Sequence, residues 1–256
     1  MAKNIGTLAL SASSYQERSQ ASRLVDSWSE ETALELQATT ARVKSEVTAL
    51  QGQEKTINAD AGRSDIGKFD LVRIAVQDFI TRLRWLRDLK GTLETRCGNV
   101  YGNLFILKPS TRNEIVQGLR DAAIVSVIGP LPQDQRDVEY LKASEADNTE
   151  VLRALSDAPM PLVTDEVRLR GDDQRAAKLQ PQRYLKFVET GELLREVSAI
   201  LDDCLDLGRE FGIDVKENIN ELGPKMRVQL DFAIEHVGGR GKKVLRTSQR
   251  DGKDAA

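Results

Sequence analysis

The sequence predicts an all-α protein, an elongated helical bundle built on a long antiparallel hairpin with coiled-coil-like heptads and carrying a small helical head. Three observations carry that expectation. The first of seven prolines is Pro109, so the whole N-terminal stretch lacks an obligatory helix breaker. Apolar residues recur at helical spacing over long segments. Aromatic residues make up only 5% of the chain against 30% charged, a balance that suits long elements with much surface.

Residues 1–16, rich in Ser, Ala and Gly, are expected to form a flexible N-terminal arm. From 17 to about 60 the chain is Ala, Glu, Gln, Lys, Leu and Val with no Gly before Gly52, which predicts one helix. Its heptad series Leu36, Val43, Leu50 and Ile57 is apolar, whereas Ala33, Thr40, Val47 and Glu54 is mixed. A stripe that narrow suits a helix packed on one neighbour. Asp60, Gly62 and Ser64 supply a turn, with Ser64 or Asp65 as the next cap.

The strongest signal runs from Val72 to Leu107. One series reads Val72, Phe79, Leu86, Leu93, Val100, Leu107, and the other reads Val76, Leu83, Lys90, Cys97, Leu104. Only Lys90 is polar, and its long stem can carry its charge out to solvent. Heptads held this long predict a helix of roughly 40 residues, about 60 Å, returning along the first to complete a hairpin over 17–108. Ile74, Ile80, Trp85 and Leu89 are expected to widen its apolar face, while Gly98 and Gly102 offer an earlier stop near Arg96.

Residues 109–181 are expected to form a head or elbow of short helices. Thr111-Arg112-Asn113-Glu114 has capping-box spacing and opens a helix with Ile115, Leu119, Ala122 and Val125 on its apolar face, stopped by Gly129-Pro130-Leu131-Pro132. Within it, residues 122–128 are the most apolar window in the chain. Seven residues cannot span a bilayer, so the leading reading is a buried core segment, with an oligomer contact or a membrane-dipping tip as alternatives. A further helix is expected around 135–157, then a hinge at Ala158-Pro159-Met160-Pro161 and a short strand over 162–171.

Residues 182–237 are expected to complete the bundle with two C-terminal helices. Leu193, Val197, Ile200, Cys204, Leu207 and Phe211 follow alternating steps of four and three, and Gly212 ends the run. Asp214-Val215-Lys216-Glu217 reads as a capping box for a last helix carrying Ile219, Leu222, Met226, Leu230, Ala233 and Val237, with Pro224 as a kink. The helix-packing interface nominated by these patterns is Val72, Val76, Phe79, Leu83, Leu86, Leu93, Val100, Leu193, Val197, Ile200, Leu207 and Phe211. Gly238 to Gly241 then open a disordered basic tail over 238–256.

The formal charge of -3 gives no global attraction to polyanions, but it is polarised. Residues 240–256 hold six cations against two carboxylates, a net +4, which leaves -7 for the rest. Arg240, Lys242, Lys243, Arg246, Arg250 and Lys253 are therefore the candidate polyanion contact. Arg73, Arg82, Arg84, Arg87 and Lys90 form a basic rim around Trp85, for which Glu30, Glu31, Glu35, Glu46 and Glu54 are the expected acidic partners.

Chemistry-bearing motifs are few. One histidine excludes zinc sites built on two or more, and any His-based triad rests on His236, which stands near a helix end where capping is the expected role. The sequence contains no GxGxxG, GxxxxGK[ST], HExxH or GxSxG pattern. Cys97 and Cys204 form no CxxC pair and read as small buried hydrophobes. Asp202, Asp203 and Asp206 cluster on one helix, yet Arg209 lies three residues beyond Asp206, so a solvated, locally paired face is expected.

No catalytic residue, cofactor or metal ligand is nominated, and an enzyme is not expected. The expected function is that of a structural or assembly protein, an elongated helical subunit that self-associates or joins a larger particle, such as a connector, scaffold or internal protein of a bacteriophage virion. The alternatives are a nucleic-acid-binding module that uses the basic tail, and a membrane-active or pore-forming component that makes contact through 122–132. No segment has the length of a signal peptide core or of a membrane span, so the expected setting is cytoplasm or virion.

Overall fold

The computed structural model describes residues 5–24, 28–107, 113–215 and 222–237, with backbone only at 16, 18–24, 236 and 237. Among the described residues every regular element is a helix and no strand occurs. The packing divides the chain into two units, Met1–Cys97 with Glu189–Leu222, and Gly98–Val188 with Gly223–Ala256.

The first unit begins with α1 (Ile5–Leu24), where a flexible arm over 1–16 was expected. Ile5, Leu8 and Ala12 step by three and four and are buried, and α1 packs along α2 (Glu30–Ala59). Small residues that read as flexible in isolation thus let two helices approach closely. The single helix expected from 17 to 60 is divided by Ser29, which caps α2: its hydroxyl accepts from Thr32 N–H at 3.4 Å, and Glu30 and Glu31 follow in the first turn. Ala33, Thr40 and Val47 are buried beside Leu36, Val43 and Leu50, so the stripe is wider than expected. The hydroxyl of Thr40 donates to Leu36 O at 3.0 Å and so enters the core without an unmade hydrogen bond. Accordingly α2 packs on more than one neighbour, with α1 and α3 (Asp65–Arg82) on either side of its stripe among them.

Ser64 caps α3 by accepting from Gly67 N–H at 3.3 Å. One residue, Leu83, separates α3 from α4 (Arg84–Leu104). Its N–H bonds Phe79 O at 3.1 Å, and its carbonyl accepts from Leu86 at 2.9 Å, so a tightened turn interrupts the long helix without ending it. Val72, Val76, Phe79, Leu83, Leu86, Leu93 and Cys97 are all buried. By contrast, Ile74 is exposed and does not widen this face. Lys90 pairs with Glu94 at 3.3 Å, one turn on. The helix passes Arg96, Gly98 and Gly102 and stops only after Leu104.

α9 (Pro181–Glu210) contributes its larger part to this unit. Leu193, Val197, Ile200, Cys204 and Leu207 are buried, and Phe211, half-buried, stacks on Phe69 with ring centroids 5.9 Å apart. Buried Glu189 receives the Ser29 N–H at 3.1 Å and the Thr32 hydroxyl at 3.4 Å, which places a carboxylate at the N-terminus of α2. Gly212 turns the chain at φ +67, a left-handed conformation that costs glycine little.

In the second unit, α5 (Glu114–Ile128) is capped by Asn113, whose side chain accepts from Ile115 N–H at 2.9 Å. The expected capping residue Thr111 lies outside the described residues. The helix expected over 135–157 is two, α6 (Gln133–Glu145) and α7 (Thr149–Ser156), separated by a turn at Asp147 with φ 51. The strand expected over 162–171 is replaced by α8 (Asp165–Leu179). Its apolar positions Val167 and Leu169 are few because α8 packs through small and polar residues. A Cβ on Gly171 would come within 3.0 Å of the Tyr140 ring, and the Ser144 hydroxyl donates to Gly171 O. Ile128, Tyr140, Ala143, Leu152, Leu155 and Leu162 form the core that α5, α6 and α7 share.

α10 (Pro224–Val237) begins at Pro224, so the proline opens this helix and does not kink it. The capping box expected at 214–217 falls partly outside the described residues. Leu230 and Ala233 are buried, and α10 packs on α8. Residues 182–237, expected to complete one bundle, are therefore shared between the two units.

Candidate interaction surface

Of the window 122–128 expected to be core, Ile124, Val125 and Ile128 reach the core, whereas Ala122, Ala123 and Val127 face outward together with Ile115, Val116 and Leu119 of the first turns of α5. At about 100° per residue, Ile115, Leu119, Ala122 and Ser126 fall in one row, and Val116, Ala123 and Val127 fall in the next. All seven are exposed: Ile115 at 74%, Leu119 at 69%, Val127 at 71% and Val116 at 47%, with Ala122, Ala123 and Ser126 between them. The exposed Arg120, one turn after Val116, lies in the second row between Val116 and Ala123 and puts a charge at the edge of this arc. The Ser126 hydroxyl donates to Ala123 O at 2.8 Å and is satisfied within the helix.

The opposite face explains the inversion. Gln117 is buried and donates to Asp121 Oδ1 at 2.6 Å, while Ile124, Val125 and Ile128 reach the shared core. Only the last turns of α5 therefore find apolar room, and the first turns lie over α7 through polar contacts. Arg120 pairs with Glu150 of α7 at 3.2 Å, and Arg136 donates to Gly129 O at 3.0 Å at the C-terminal end. The Asn113 cap, the Arg136 contact and the packing of Ile128 are the contacts that place this helix.

Sequence patterning alone could not find this face. A helical wheel shows that α5 has an apolar side but does not show which side its neighbours cover. One signal was available, since Gln117 and Asp121 also share a side, and a helix polar on one side and apolar on the other fits either orientation.

Several of the other nominated residues have structural partners. On α9, Asp206 pairs with Arg209 at 2.6 Å, and Asp203 receives the Tyr15 hydroxyl of α1 at 2.6 Å. Among the described residues no group of three or more His, Cys, Asp or Glu is placed to hold a metal ion. Of the basic rim, Arg82 pairs with Glu46 of α2 at 2.8 Å, and Arg96, outside the rim, pairs with Glu35 of α2 at 3.1 Å. The cation over the Trp85 ring is Arg42, 4.1 Å from its centroid. Both cysteines are buried, and burial pushes the Cys97 and Cys204 thiols up to about 12, with the Glu94 and Asp203 carboxylates adding to the effect. Val100 is half-buried. His236 lies in the last turn of α10, and its side chain is outside the description, as are Arg240, Lys242, Lys243, Arg246, Arg250 and Lys253 altogether.

Two further features of the second unit escaped sequence reasoning. Buried Tyr184 on α9 donates to Asp173 Oδ2 at 2.6 Å, and Tyr140 donates to Asp172 Oδ1 at 3.0 Å, forming a polar seam along α8. Burial pushes both phenols up, with the adjacent carboxylates adding to it, and burial also raises the Asp172 carboxyl. Near the ends of α4 and α8 a cavity of about 310 Å³ is lined by Arg175, Asp147, Leu104 and Gln180 among others. The Arg175 guanidinium reaches Asp147 at 3.5 Å and Leu104 O at 3.4 Å, so its charge is directed into the fold.

No helix among the described residues is long and apolar enough to cross a membrane. Comparison of the chain with models of known protein families, with curated proteins and with solved structures finds no match.

Proposed function

We propose that the protein is a structural or assembly subunit that joins a larger protein particle through the outer face of α5. The observation that carries this reading is the row of exposed aliphatic side chains Ile115, Val116, Leu119 and Val127, which the described residues leave uncovered. Isolated exposed leucines are ordinary, but a contiguous apolar patch of a few hundred Å² is often functional. The charged pairs Arg82 with Glu46, Arg96 with Glu35 and Arg209 with Asp206 lie within this chain, so these groups are already engaged with one another.

The test is the mass of the complex in which the full chain is isolated under native conditions. The mass should exceed that of one 28.4 kDa chain. Replacing Ile115 and Leu119 together by Gln should return it to one chain. Both side chains are exposed on the single chain, so its own unfolding free energy, compared at dilutions where neither form is assembled, should change by no more than roughly 0.5 kcal/mol. A wild-type mass of one chain, or a double variant that keeps the full assembly, would overturn the reading.

A further inference from the structure

The cavity beside Arg175 owes nothing to the outer face of α5. We propose that it binds a small monocarboxylate with a short aliphatic chain, its carboxylate held by the Arg175 guanidinium and its chain by the aliphatic side chains of the lining.

All the lining residues belong to the second unit. They come from three places: the end of α4 with the residues after it, the turn into α7 at Asp147 and Thr149, and the end of α8. Leu104, Ile106, Leu107, Ala176 and Leu179 make half of this lining aliphatic. A volume of about 310 Å³ lies at the small end of the range for small-molecule sites.

Arg175 supplies the recognising group. Its side chain is only 9% exposed, and a cation so buried is ordinarily held by charge-assisted hydrogen bonds of about 2.7–2.9 Å. The bonds it makes are longer, 3.5 Å to Asp147 Oδ1 and 3.4 Å to Leu104 O, and its Nε is buried with no acceptor among the described residues. Asp172, a second carboxylate close enough to feel Arg175, is engaged with the Tyr140 hydroxyl. The guanidinium charge is therefore loosely compensated, and a ligand carboxylate offers two oxygens that match its planar fork.

The other polar groups set the ligand's charge. The Gln180 amide donates to Asn103 O at 3.3 Å and accepts from Arg183 at 2.8 Å, which leaves Arg175 as the one cation of the lining. One cation among aliphatic walls matches one negative charge, so a monocarboxylate fits better than a phosphate. The Asp147 side chain, 43% exposed, returns to water at little cost when a ligand carboxylate takes its place.

Isothermal titration calorimetry of the full chain with hexanoate tests the site, with hexanamide, acetate and inorganic phosphate for comparison. Hexanoate should bind with a Kd of about 1 mM, and hexanamide about tenfold more weakly. Each methylene removed towards acetate should cost about fourfold. Asp147→Asn removes the competing carboxylate, and asparagine tolerates the backbone there at φ 51, so this variant should bind hexanoate about threefold more tightly. Leu179 is 46% exposed, and Leu179→Asp should weaken hexanoate more than Leu179→Asn does. Arg175→Gln should bind hexanoate and hexanamide alike. Should that variant fail to fold, the Asp147 and Leu179 variants read the same contact from exposed positions.

Equal binding of hexanoate and hexanamide by the wild type would overturn the role of Arg175, as would weaker binding of hexanoate in Asp147→Asn. Phosphate binding more tightly than hexanoate would overturn the aliphatic chain as the second half of the ligand. Absence of saturable binding up to about tenfold the expected Kd would overturn the site itself.

Discussion

α4 and α5 are both helices with an apolar side, and the structure treats them in opposite ways. On α4, Leu86, Leu93 and Cys97 are fully buried, and the exposed side carries Arg84, Asp88, Thr92 and Arg96. On α5 the densest apolar arc faces outward, and the buried side begins with Gln117. The difference teaches that amphipathicity specifies a face to be covered but not what covers it. Where α3 and α4 place their apolar side, the same chain supplies the cover. Over the first three turns of α5 the described residues supply none, and the cost of that exposure is the argument for the proposed external partner.

The largest effect expected on this contrast comes from hollowing the covered side. Leu93→Ala should cost about 2–5 kcal/mol, since Leu93 is fully buried and its neighbours can relax only in part. Urea denaturation should show a lower midpoint with an unchanged slope, and a loss below 1 kcal/mol would mean that this core is looser than its burial implies. Against that, the exposed Ile115 and Leu119 should barely register in stability while deciding the assembled mass.

A smaller effect is expected in the polar seam. Tyr184→Phe removes the donor to Asp173, a carboxylate only 4% exposed, and should cost about 1–3 kcal/mol. Thermal denaturation of the variant at neutral pH would measure it. An unchanged midpoint would mean that the hydroxyl contributes no net stability.

The smallest expected effect is a pH dependence. Burial raises Asp172, offset in part by the Tyr140 hydroxyl and by Arg175 and Arg168. A carboxyl raised on folding contributes stability that is fully present below its unfolded value and is lost as pH rises through its folded value. Asp172→Asn cannot ionise and can still accept from Tyr140. The variant's thermal midpoint relative to wild type should therefore be more favourable at about pH 7 than at about pH 4. A relative midpoint that moves the other way would place the ionised form as the one the fold prefers.

Much of the helical layout was legible because it follows from local rules. Ser64 caps α3 as its spacing implied, and the apolar series through Phe79 and Leu93 marks a buried side. The misreadings share a cause. Residues 5–12 looked like an arm because small side chains give little periodic signal, although Ile5, Leu8 and Ala12 suffice when α2 lies alongside. α8 looked like a strand because it packs through Gly171, Asp173 and Arg175 in place of a leucine stripe. The division of α9 and α10 between two units depends on contacts distant in sequence, to which periodicity is blind.

The sequence by itself determined that the chain is mainly helical, where α5 and α9 begin and end, and that familiar catalytic motifs are missing, because propensity, capping and spacing act over a few residues. Only the tertiary structure decided which apolar sides are covered. Burial is a property of neighbours brought from elsewhere in the chain, and on α5 those neighbours cover the side with Gln117 and leave Ile115 and Leu119 exposed.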